Sequence, residues 1–127
     1  MTTTMKTSLA AAVLGLSLLG SGAALAHGGA EPKHGGIVQT ASDLSFELVA
    51  RPDGAVLYVE DHGKPMSVDG LSGKLTVLKG SERSEAALSA AGDRLEAKGI
   101  TLAPGAKVVA ALQTAGKKAI TVRFTVK

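Results

Sequence analysis

Cysteine is absent from all 127 residues. Its absence excludes a disulfide framework, a thiolate metal site and a lipobox cysteine that would carry a lipid anchor. Tryptophan is absent as well, and Phe46, Tyr58 and Phe124 are the only aromatic side chains. A nucleic-acid binder needs stacking platforms and a clustered basic face. Here the basic residues are scattered singly, with only Lys117 and Lys118 adjacent, and the net charge is a modest +3. Nucleic acid is therefore excluded as the expected partner. After the first twenty-six positions no apolar run is long enough to cross a bilayer as a helix. Catalytic motifs are missing too. There is no G-x-S-x-G elbow, Gly70-Leu71-Ser72-Gly73 lacks the lysine of a phosphate loop, and the acids are dispersed. No enzymatic activity is expected.

What the chain does have begins at its start. Lys6 supplies a positive n-region, Leu9 to Leu19 an apolar h-region, and Ala24 and Ala26 an A-x-A-type cleavage site. Residues 1–26 thus read as a signal peptide. Its removal leaves roughly 100 residues, enough for one small domain with a single core. The expected location is the periplasm, with no membrane anchor in the mature form. Residues 27–36, HGGAEPKHGG, hold four glycines, one proline and no periodicity, and read as a flexible His/Gly arm.

From position 37 to 127 the pattern is that of short strands. Leu44, Phe46, Leu48 and Ala50 alternate with Ser45, Glu47 and Val49, then stop at Pro52-Asp53-Gly54, a turn sequence. Residues 55–61 form the return strand of a hairpin. Further strands are expected at 74–79, 84–89, 94–98 and 107–113. In the last, Ile120, Val122, Phe124 and Val126 alternate with Thr121, Arg123, Thr125 and Lys127. The stretch 81–95 has alanines and glutamates that favour a helix, but glycines at 80, 92 and 99 leave little room for one. Turn signals every ten or so residues predict an all-β fold, an immunoglobulin-like β-sandwich of about seven short strands.

The chemistry lies in three histidines. With the leader cut after Ala26, His27 becomes the first residue, and its α-amino group and imidazole can chelate one ion together. His34 repeats the His-Gly-Gly unit on the same arm. His62 ends the strand Tyr58-Val59-Glu60-Asp61-His62, where Asp61 or Glu60 can serve as a ligand or orient the ring. Imidazole suits copper, zinc and nickel, and the Irving–Williams order favours Cu(II). Met66 is a soft donor suited to Cu(I), but it reads better as a core residue.

A histidine at the mature start, a β-sandwich and a later Asp-His pair together resemble the periplasmic copper-resistance carriers. That resemblance implies Cu(II) binding through the amino terminus, His27 and the distant Asp61 and His62. The carriers space the pair as D-x-H, whereas here it is adjacent. The layout of HGG, F-E-L-V, Y-V-E-D-H-G-K-P and G-K-L-T-V-L-K-G is similar to small periplasmic proteins associated with heavy-metal efflux, which implies an efflux component as partner. The expected function is binding of a divalent transition metal, copper first, by His27, His34, Asp61 and His62. The alternative is an adaptor or adhesin-like interaction module with incidental histidines and an exposed strand edge.

Overall fold

The structure, a computed structural model, describes residues 31–127. The leader and His27 lie outside the described residues. Every regular element described is a strand. β1 (Ile37–Ala41) and β2 (Leu44–Arg51) form the first hairpin. Its two turn residues, Ser42 and Asp43, have φ of 53° and 64°. Two successive left-handed residues make a type I′ turn, whose twist matches that of the strands it joins. β3 (Gly54–Asp61) returns after Pro52-Asp53, as the turn sequence predicts. β4 (Lys64–Pro65) folds back on the end of β3 through His62 and Gly63, again with two positive φ values.

β5 (Ser72–Lys79), β6 (Glu82–Ala91) and β7 (Arg94–Lys98) form a meander, followed by β8 (Lys107–Gln113) and β9 (Ala119–Thr125). The hydrogen-bonded order is β1-β2-β3-β7-β6-β5-β8-β9, antiparallel throughout. Within it, β8-β5-β6-β7 is a Greek key: three hairpin-connected strands and a fourth returning beside the first. The long β6 joins two sheets. Residues 82–88 pair with β5, and residues 89–91 pair with β7. β1 and β9 end the path and lie side by side, so the two sheets, continuous through β6, are together nearly closed into a barrel.

One core fills the interior. Phe46, Leu48, Leu57, Leu75, Leu95 and Val108 are fully buried, contributed by β2, β3, β5, β7 and β8. The all-β expectation holds, with nine strands among the described residues in place of about seven. The additions are β1 and β4, and neither carries a strong signal: β1 turns on Ser-Asp, and β4 has two exposed residues. β2 departs from simple alternation, because Phe46 to Val49 are all buried. Both faces of this strand are covered, and the cover of its outer face is the site described next.

Candidate functional site

Strand geometry sends Phe46 and Leu48 into the core and Glu47 and Val49 outward. Glu47 nevertheless is only 6% exposed, the one buried charged residue among those described. Residues 33–36 lie over it. The Lys33 N–H donates to Oε1 (3.0 Å), and the N–H groups of His34 and Gly36 both donate to Oε2 (2.8 Å). His34 Nδ1 meets Oε1 at 2.9 Å. Burial alone would raise the Glu47 pKa. The bonds from the His34 ring and from the backbone of Gly36, Lys33 and His34 outweigh it and hold the carboxyl below its ordinary value. At Gly36 an added Cβ would run into the backbone carbonyl of Leu48, so only glycine fits this close crossing.

The clasp extends sideways. Tyr58 sits opposite Glu47 on β3, and the His34 ring stacks on it, centroids 3.6 Å apart and nearly coplanar. Lys33 Nζ reaches Glu60 Oε2 at 2.8 Å and donates to the Gly63 carbonyl at 3.0 Å. The segment read from sequence as an arm is therefore tied down from Lys33 onward. It runs over the outer face of β2 and β3 toward the β3–β4 turn.

That turn carries the second histidine. His62 Nδ1 lies 2.5 Å from Asp61 Oδ1, and its side chain is 86% exposed. The left-handed conformation at His62 lifts the ring off the end of the strand. Glu60, the other acid considered for this role, pairs with Lys33 instead. Met66 packs against the core, and its N–H donates to the Val59 carbonyl.

Both described imidazoles thus share one arrangement. A carboxylate takes Nδ1, and a ring that donates there keeps its lone pair at Nε2. This carboxylate–histidine relation is what orients imidazoles at metal centres. Of the four site residues expected from sequence, His27 lies outside the described residues, while Asp61 and His62 are joined. His34 forms a separate dyad with Glu47, and Lys33 links the segment that carries it to the His62 turn. Among the described residues no group of three or more His, Asp or Glu side chains converges on one point. Sequence reading missed Glu47, Tyr58 and Lys33. One signal was available: Glu47 shares its face with Val49 in an otherwise apolar stretch, and an apolar outer face needs a cover. Comparison with protein families, curated proteins and solved structures finds no match to this chain.

Proposed function

We propose that the protein binds a divalent transition metal, copper foremost, in the periplasm, as a non-enzymatic carrier, buffer or accessory of an efflux system. The observation that carries this is the pair of carboxylate-oriented imidazoles, His34–Glu47 and His62–Asp61, each with Nε2 available as a donor. Two such dyads are few for a selective site. A third donor set comes from the mature amino terminus if the leader is removed after Ala26, because His27 then offers two nitrogens. The clasp favours its participation: Lys33 is held at Gly63, beside His62. The six residues from Lys33 back to His27 span at most about 20 Å when extended. That length is enough for an amino terminus at His27 to reach Asp61 and His62. Neutral imidazole and amine nitrogens suit Cu(II), with zinc and nickel as weaker competitors.

The test is a copper titration of protein beginning at His27, followed by visible absorption and by electron paramagnetic resonance for nitrogen ligands. A protein with one extra residue before His27 and the variants His34→Ala and His62→Ala run beside it. Weaker binding is expected for the extended protein and for His62→Ala. If copper is lost on desalting, or if all four proteins bind alike, the proposal fails.

A further inference from the structure

Where β1 and β9 meet, no backbone hydrogen bond joins them among the described residues, and each pairs with one neighbour only. A groove of about 740 Å³ runs along this seam and onto the outer face of β8 and β5. Its apolar lining includes Ile37, Phe124 and Val126, and it takes in Leu78, at 39% the only exposed large hydrophobic residue among those described. Its charged lining is Lys107, Arg123 and Lys127, with no acid. None of these three cations makes an ion pair among the described residues. The acid nearest in register, Glu85 on β6, is occupied by Lys74 and Arg83. Lys107 donates only to the Thr125 hydroxyl.

Soluble proteins cover or charge an open strand edge to prevent unwanted pairing. This edge is charged with one sign only, so it selects among partners. We infer that the edge of β9 that adjoins β1 without hydrogen bonds docks an extended acidic–apolar segment of a partner protein, added as a further strand. The alternation of β9 dictates the alternation of its guest. Ile120, Val122 and Phe124 point inward, whereas Thr121, Arg123 and Thr125 are exposed. On a strand paired beside β9, one set of side chains lies on the face of Phe124 and Val126 and is apolar. The other faces Arg123, Lys107 and Lys127 and is acidic. Backbone bonds give affinity and the alternate side chains give selectivity. β1, five residues hydrogen-bonded only to β2, is the element that must give way for the guest to enter. A lipid surface would match the cations but not the unpaired edge, which is why a peptide is the stated occupant. This inference is independent of metal binding.

The experiment is fluorescence anisotropy of a labelled peptide of alternating valine and glutamate, seven residues long like β9. Saturable binding is expected, with none for the valine–lysine counterpart. Loss is also expected when the edge-facing amides are N-methylated. The exposed double variant Lys107→Glu/Arg123→Glu, with its circular dichroism unchanged, should bind about tenfold more weakly or worse, because both complementary charges are reversed. Should that variant fail to fold, the two peptides on the unaltered protein still decide. The proposal is overturned by no saturable binding, by equal affinity for the lysine peptide, by indifference to N-methylation or to the charge reversal, or by binding to phosphatidylglycerol vesicles without binding to the peptide.

Discussion

Glu47 shows how one side chain can organise a segment remote from it in sequence. Its two oxygens satisfy three backbone N–H groups and one imidazole, and bonds to a charged acceptor are about twice as strong as neutral ones. Glu47→Gln keeps the shape but replaces one acceptor oxygen with a donor that faces N–H groups. We expect a loss of about 1–3 kcal/mol, the usual cost of disrupting a buried bond to a charge, measured by urea denaturation at neutral pH. The same residue sets a pH dependence. Its carboxyl is held below the ordinary 4.5, so its stabilisation is complete above that value and fades as the pH falls through the lower folded one. The difference between wild type and Glu47→Gln should therefore narrow in acid. A gap that stays constant down to pH 2 would contradict this account of Glu47. Tyr58 offers a second readout, as the only tyrosine in a chain without tryptophan. Removing the stacked ring in His34→Ala should change its emission, whereas His62→Ala, away from the stack, should not.

Among the elements, the turns decide what could be foreseen. β9 alternates strictly, and the β2–β3 hairpin has Pro-Asp-Gly at its turn, so both were legible from residue order alone. β1 was not, because Ser42-Asp43 is not a turn sequence that announces the two left-handed φ values found there. The cover on Glu47 was equally hidden. It is built from backbone N–H groups, which every residue but proline has, and pairs positions eleven to fourteen apart. Two predictions belong here. Replacing Ser42-Asp43 with Asn-Gly supplies the residues a type I′ turn prefers. It should stabilise the protein by about 0.5–1 kcal/mol, the relief of left-handed backbone less the entropy cost of glycine, seen as a higher Tm. In hydrogen exchange, the amides of Lys33, His34 and Gly36 should be protected in the wild type and exposed in Glu47→Gln. Fast exchange in both would mean that the clasp is not populated in solution.

For the molecule as a whole, stability rests on a single apolar core without disulfides. Phe46→Ala should cost about 3–5 kcal/mol and leave the domain marginal. If the metal proposal holds, copper at a hundred times its Kd adds about 2.7 kcal/mol by mass action. The rise in Tm should shrink in a His34→Ala/His62→Ala protein. The shared strand β6 has a further consequence. Its first seven residues belong to one sheet and its last three to the other, so neither sheet retains all its partners if the other comes apart. The two halves cannot melt in turn. Tyrosine emission, which reports on β3, and the backbone signal from all nine strands should trace one coincident transition, and a nick anywhere in β6 should dissolve both sheets together.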